Sequence, residues 1–490
     1  MYDTQFFVLV LVVASVGVAA VLSNRLAARV AVPAPAFFFV GAAVVVTAFP
    51  ALHAPRGQTV VQAVNAALVC ILFAGGLDIG WTRFRSTLGA IATLGVFGTF
   101  LTAGASAVLV HLAFGLSWYA SLLVATAIAP TDPAVVFSVL GRREIAGRSG
   151  LILEGESGVN DPVGIALMAS LVTAGGLRTG TFAQVGWSFL LQMVVGAAVG
   201  VAGGRALLLF VRRVPLPSES LYSLRTLASA FVLYGAASLA HGSGLLAVFV
   251  AGIVLGDERV PYKGEIGHFH AALASLGEIV AFTVLGLTVD LAVVVRPDVW
   301  VPGLVLGVAL ALVIRPALLE ACLIPAKLPT DQRRFVQFAG LKGAVPILLG
   351  IFIVTARLAD AQRLYGIVVV VVVFSVLVQG SLVPTVARLL QLPMRTVELE
   401  PWSLGLRLQE EPTMVHRFVV APGSAAEGCT IDGLRELPAN AWISLVVRGG
   451  RVLAVSGDTE LRAGDDVLVV ADLEPGQDLR AAFERPRKDR

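Results

Sequence analysis

Three carboxylates and an amide stand inside an apolar run in Leu153-Glu154-Gly155-Glu156-Ser157-Gly158-Val159-Asn160-Asp161-Pro162-Val163-Gly164, and that run continues through Ile165-Ala166-Leu167-Met168. A carboxylate at bilayer depth is expensive, so its presence there points to the handling of an ion or a proton. On a helix, Glu154, Ser157 and Asp161 at i, i+3 and i+7 share one face, and Glu156 and Asn160 at i, i+4 lie on the adjoining one. One side of such a helix is a stripe of oxygens.

A second anomaly comes one span earlier, in Ala129-Pro130-Thr131-Asp132-Pro133-Ala134, where two prolines bracket an acid. Proline removes an amide donor and disfavours the helical state of the residue before it, so this span is expected to break near the membrane midplane. Broken backbone is tolerated at that depth only where it lines a polar cavity or is buried in protein. Carboxylates, a hydroxyl, an amide and freed carbonyls are hard oxygen donors, which suit a small alkali cation better than a soft metal.

These residues need a membrane scaffold, and the composition supplies one. The 490 residues are 57% hydrophobic and 14% charged with a mean hydropathy of +0.85, which implies a polytopic membrane protein with lipid as its surroundings. The net charge of +3 is too small to suggest nucleic acid. Three cysteines without CxxC spacing support neither a disulfide framework nor a zinc site. The N-terminus reads as a retained first span, not a cleaved signal.

Thirteen apolar runs fall at about residues 6–23, 33–52, 59–78, 87–114, 117–140, 150–175, 184–211, 221–240, 243–257, 267–290, 299–323, 335–356 and 364–390. The eighth and ninth flank Ala240-His241-Gly242-Ser243-Gly244 and form either one re-entrant unit or two crossings. Loop charges favour two, because only then do alternate loops hold the arginine clusters, such as Arg83 and Arg85, Arg212 and Arg213, or Arg333 and Arg334. By the positive-inside rule the N-terminus is outside and the C-terminus cytoplasmic. The breaks at Pro130 and Pro133 in the fifth span and at Gly340, Gly343 and Pro346 in the twelfth suggest an inverted repeat whose interrupted helices cross at the site.

After Leu390 the apolar runs end. The expected organisation is a transmembrane exchanger domain at 1–391, a linker at 392–412, a small α+β regulatory domain at 413–474 and a charged tail at 475–490. Strands are expected at 417–420, 443–447, 451–455 and 466–470, with a short helix at Ile431–Leu437.

Thr131-Asp132-Pro133, Gly155-Glu156-Ser157-Gly158-Val159-Asn160-Asp161-Pro162 and Gly340-Leu341-Lys342-Gly343-Ala344-Val345-Pro346-Ile347 together resemble the cation/proton antiporter family in its electroneutral branch. More closely, they resemble bacterial potassium/proton antiporters with a cytoplasmic regulatory tail, and the tail resembles the C-terminal ligand-binding subdomain of regulators of potassium conductance. The resemblance implies an inner-membrane homodimer that exchanges K+ or Na+ for H+, needs no cofactor and is no enzyme, with an unidentified small ligand on the tail. It makes Asp161 the carboxylate that binds either cation or proton, with Asn160, Ser157 and Thr131 beside it. Asp132 is either a second ligand or a helix-break cap. Asn160 stands where the electrogenic branch has a second aspartate, so one cation would exchange for one proton.

The resemblance also pairs Glu156 with Arg315 as an architectural ion pair; Glu154 is the alternative partner. Arg315 lies within the eleventh span and cannot shed its charge, so it must have one. Lys342 departs from the usual arginine of its motif and either compensates charge as a weaker copy or titrates with the cycle. Asp78 and Glu278 are either funnel residues or snorkelling acids, and the six histidines read as interface residues. A gated potassium channel is the rival function, but no filter-like Thr-Val-Gly-Tyr-Gly stretch occurs. An ATP-driven pump would need a phosphate-binding Gly-x-x-x-x-Gly-Lys-Ser/Thr loop, which is also missing.

Overall fold

The computed structural model describes residues 33–48, 57–140, 143–145, 148–326, 328–356, 358, 360–396, 415–434, 437, 441–449, 451–471 and 479–483. The chain divides into two compact units, residues 1–403 and 404–490. The expected first span, most of the linker and most of the charged tail lie outside the described residues; the described part of that tail, residues 479–483, packs into the core of the small domain.

The first unit is helical. Helix α1 (Ala34–Ala48) is followed by α2 (Gly57–Ala92), which a π-helical turn at Thr93–Gly98 joins to α3 (Thr99–Phe114). The third and fourth expected spans are therefore one assigned helical stretch, but Gly80 interrupts it with φ 63° and ψ 168°, a conformation open to glycine. The Asp257 carboxylate fills the space a side chain would need at Gly80 and accepts the N–H of Thr82, capping the segment that restarts there.

Next come α4 (Trp118–Ala127) and α5 (Pro133–Leu140), the two halves of the fifth span, then β1 (Arg143–Ile145) and the site helix α6 (Arg148–Ala174). The scaffold continues through α7 (Thr181–Arg213), α8 (Glu219–Leu239), α9 (Gly244–Gly256) and α10 (Lys263–Gly286). Helices α8 and α9 are separate, hinged through His241 at φ 59° and capped by the Ser243 hydroxyl on Leu246 N–H. A single turn α11 (Leu291–Val294) leads to α12 (Pro297–Ala309), and a π-helical turn at Leu310–Ile314 joins it to α13 (Arg315–Cys322). The twelfth span is again two halves, α14 (Thr330–Phe338) and α15 (Ala344–Thr355). Helix α16 (Ala361–Phe374), a third π-helical turn at Ser375–Gln379 and α17 (Gly380–Leu389) complete the bundle. Among the described residues five stretches are long and apolar enough to cross a membrane by length and composition alone: 57–114, 181–213, 263–286, 297–322 and 361–389.

A short strand β2 (Met394–Thr396) then pairs antiparallel with β1, with Ile145 opposite Met394. The residues leaving the last helix are thus tied to the connection between the two site helices α5 and α6.

The second unit is an antiparallel sheet of β3 (Val415–Val419), β4 (Ala441–Arg448), β5 (Arg451–Leu453) and β6 (Asp466–Ala471), in the order β3-β6-β4-β5. Its core holds Phe418, Val446, Val467 and Val469 against Phe483 of the closing turn α18 (Arg480–Phe483). The alternation of buried and half-buried residues along β6 is the period-2 pattern of a sheet with one covered face. The helix expected at Ile431–Leu437 is not formed: residues 431–433 are turns, in which Gly433 N–H bonds back to Thr430 O and Asp432 N–H to Gly457 O. Asp and Gly at adjacent positions favour such a turn over a helix.

Candidate ion site in the helical unit

The two broken spans meet break to break. The N–H of Asp132 donates to Leu341 O at 2.8 Å, so the loop after α4 and the loop before α15 are hydrogen-bonded to each other. Four half-helix ends converge here, and each meets a group of complementary charge or a donor. Lys342 Nζ donates to Ala129 O at 2.9 Å and Pro130 O at 3.1 Å, which neutralises the carbonyl end of α4. Arg315 Nε donates to Gln337 O at 3.1 Å and Gln379 Nε2 to Phe338 O at 2.6 Å, which does the same for α14. Asp132 answers the amide ends: its Oδ1 accepts from Ala134 N at 2.9 Å at the start of α5, and its carboxylate fills the space against Gly343 where α15 begins.

Arg315 is fixed by a buried ion pair. Its Nη2 lies 2.7 Å from Glu156 Oε1 and 3.0 Å from Oε2, and the two side chains are only 4% and 2% exposed. The π-helical turn before Arg315 carries an Arg315 N–H bond to Leu310 O, and Pro316, which has no N–H, follows at once. The third such turn, at Ser375–Gln379, presents Ser375 Oγ to the Lys342 N–H at 2.9 Å. Nothing in residue spacing announces these wide turns, and Ser375 and Gln379 were not among the expected site residues.

The two faces of α6 part company as the helical spacing requires. On one, Glu156 pairs with Arg315, and Asn160 Nδ2 donates to Thr131 Oγ1 at 2.8 Å while its Oδ1 receives the Thr131 N–H at 3.4 Å. On the other, Glu154, Ser157 and Asp161 line a cavity of about 200 Å³ together with Asp132. The expected ligand set therefore divides. Asp161, Asp132 and Ser157 reach the cavity, whereas Thr131 and Asn160 bond to each other and are not part of its wall. Thr131 Oγ1 also contacts Glu156 Oε1 at 3.4 Å, so this pair links the first break to the ion pair.

Asp161 is the less supported of the two aspartates. Among the described residues its one side-chain hydrogen bond is a long 3.4 Å contact from Ser157 Oγ, whereas Asp132 accepts the Ala134 amide of α5 at 2.9 Å. Pro162, inside α6, has no N–H to offer the Gly158 carbonyl, so a backbone oxygen is also released at the cavity wall. Around the breaks the set available to a cation is the two aspartates, a hydroxyl and a carbonyl, with Glu154 also in the wall. Among the described residues no cluster of His, Cys, Asp and Glu suits a resident metal. Glu278, left between two readings on sequence grounds, stands in the cavity wall from α10. Its place in the middle of an apolar helix was the signal available.

Comparison with known proteins bears on the whole chain. The transmembrane domain of the sodium/hydrogen exchangers matches residues 11–389, and the TrkA-C domain matches residues 415–484. The chain is 33% identical over 420 residues to the K(+)/H(+) antiporter NhaP2 of Shewanella oneidensis, covering 83% of this chain and 71% of that one. It is 34% identical over 334 residues to the K(+)/H(+) antiporter NhaP of Alkalimonas amylolytica, covering 67% and 57%. In structure it is similar to the sodium proton antiporter MjNhaP1 of Methanocaldococcus jannaschii, with a TM-score of 0.62 at 20% identity over 76% of this chain and 99% of the other.

Proposed function

The chain belongs to the sodium/hydrogen exchanger family and is a monovalent cation/proton antiporter with a TrkA-C domain, and within that class we propose that Asp161 is the carboxylate for which cation and proton compete. K+ is the favoured cargo, since the relatives at 33–34% identity are named K(+)/H(+) antiporters, with Na+ as the second candidate. The observation that carries the reading is the contrast between the two aspartates lining the cavity: Asp132 is anchored by a helix amide at 2.9 Å and Asp161 by a long hydroxyl contact at 3.4 Å.

A carboxylate with few fixed donors gains most from a bound proton or cation, and loses most when both leave. Asp161 with Ser157, Asp132 and the Gly158 carbonyl would coordinate the dehydrated cation; protonation of Asp161 would remove the charge that holds it. Asn160 and Thr131 would then shape the break and not touch the ion. Since Asn160 cannot ionise and Asp132 answers the helix ends, one group trades charge, and exchange is electroneutral. The lining residues concentrate on the part of α2 before Gly80 and the first half of α6, so the cavity is read as inward-facing, with the N-terminus outside, the C-terminus cytoplasmic and the chain in the inner membrane. The inverted repeat, the thirteen crossings and the homodimer belong to the same reading, as does alternating access by movement of the crossed core against the scaffold.

One vesicle experiment tests the core of this. Under an imposed proton gradient with K+ or Na+ outside, Asp161→Asn should insert normally and exchange nothing. Wild-type rates should be unchanged when valinomycin sets a membrane potential, because a residual charge would feel about 2.3 kcal/mol per 100 mV. Exchange by the Asn variant would sink the assignment, and a several-fold response to potential would sink the one-for-one cycle.

The C-terminal domain is read as a regulator that binds a small ligand. The support is the β1–β2 pairing, which ties the chain leaving α17 to the segment between α5 and α6. A chain ended after Thr396, which keeps that pairing, should still exchange ions with a changed cation or pH dependence. A stable truncated protein that transports at no pH would put the domain inside the cycle instead.

A further inference from the structure

Glu278 stands on α10, which packs against α1, α2 and α8 of the scaffold and also touches α15, and Glu278 lines the same cavity as Asp132 and Asp161. Its Oε1 is sealed from solvent and has no hydrogen-bond partner among the described residues. The neighbouring lining from α2 is apolar: Leu68, Ile71 and Leu72. An architectural acid in such a place would be expected to hold a donor, as Glu156 holds Arg315. Here no Lys, Arg or His is among the described lining residues, while the cavity collects Asp132, Glu154, Asp161 and Glu278. Of these acids Glu278 is the one with a sealed oxygen that no described group answers, so a cation entering the cavity meets it there.

We propose that Glu278 is a further cation-attracting carboxylate of the transport cavity, which draws the alkali cation in from the scaffold side and sets its apparent affinity without being the group that exchanges the proton. The inference rests on the antiporter reading above. Because α10 belongs to the scaffold and Asp161 to the core, Glu278 faces the ion when the two are apposed around this cavity and is left behind when the core moves. A fixed negative charge of this kind acts on capture more than on the exchange step.

The test measures the half-saturating K+ and Na+ concentrations and the maximal exchange rate for wild type, Glu278→Gln, Glu278→Asp and Asp161→Asn in vesicles, with thermal stability in detergent. Loss of one charge at an effective dielectric intermediate between water and protein predicts that Glu278→Gln raises half-saturation about tenfold. The maximal rate should fall much less, Glu278→Asp should recover part of the affinity, and melting should not drop, since the unpartnered oxygen gives up no bond. Unchanged half-saturation in Glu278→Gln overturns the proposal, and so does loss of insertion or stability in that variant, which would mark a structural acid. Activity in Asp161→Asn would instead overturn the antiporter site, so the two failures are told apart.

Discussion

The two broken spans reach the same place by different chemistry. Between α4 and α5 the chain is stopped by Pro130 and Pro133, which withhold amides, and its one charge is the carboxylate of Asp132. Between α14 and α15 the breakers are Gly340 and Gly343, and the reason for glycine lies in the partner: a Cβ at Gly340 would fall on the Arg315 guanidinium, and one at Gly343 on the Asp132 carboxylate. The charge of this second break is Lys342, which reaches across to the carbonyl end of the first. The proline break is built into its own backbone, whereas the glycine break exists so that charged side chains from elsewhere can come close. Each break thus neutralises the other.

If that is so, the second break should be the more sensitive to what surrounds it. Arg315→Ala should have the largest effect, because it strands Glu156 in a buried site and frees the Gln337 carbonyl; losing one member of a buried pair costs about 3–5 kcal/mol. Insertion yield and size-exclusion profile should fall sharply and recover in part in Glu156→Gln with Arg315→Ala. A double variant no better than either single one would break the pairing argument.

Gly343→Ala comes next, since its methyl would occupy the Asp132 carboxylate position, and overpacking of this kind costs about 1–3 kcal/mol. Transport should fall by at least about tenfold with the protein still folded, because the breaks would be forced apart at the site itself. Normal transport by this variant would show that the contact between breaks is slack. The smallest effect is expected from Lys342→Met, which leaves the Ala129 and Pro130 carbonyls without their donor at about 0.5–1.5 kcal/mol for each bond. Its melting temperature should drop by a few degrees, and Lys342→Arg should retain most of the stability and transport. A Met variant as stable as wild type would mean that the carbonyl end of α4 needs no cation.

Much of the site was legible because its residues are anomalies against an apolar background. Glu154, Ser157 and Asp161 on one side of α6, with Glu156 and Asn160 on the other, follow from helical spacing alone, and the cavity wall and the Arg315 side divide along that line. The breaks were visible as Pro and Gly, and the strands of the small domain as alternating runs bounded by turn residues. The helix expected at Ile431–Leu437 failed because Gly433 makes a local turn bond to Thr430 and Asp432 a long-range one to Gly457, which together outweigh a short stretch of helical pattern.

What the sequence by itself determined is therefore the inventory and the local geometry: a polytopic chain, two interrupted spans, an oxygen-rich helix face and one arginine that had to find a partner. These are set by transfer energies, backbone donors and the 3.6-residue period, all of which act within a span. Only the tertiary structure decided which of those groups meet: that Lys342 serves the carbonyls of α4, that Asp132 lies between two helix starts, that Thr131 and Asn160 bond to each other away from the cavity, and that Glu278 joins the acids lining it. The reason is that electrostatic partners 25 to 213 positions apart in the chain are chosen by how helices cross. No local rule of spacing contains that crossing.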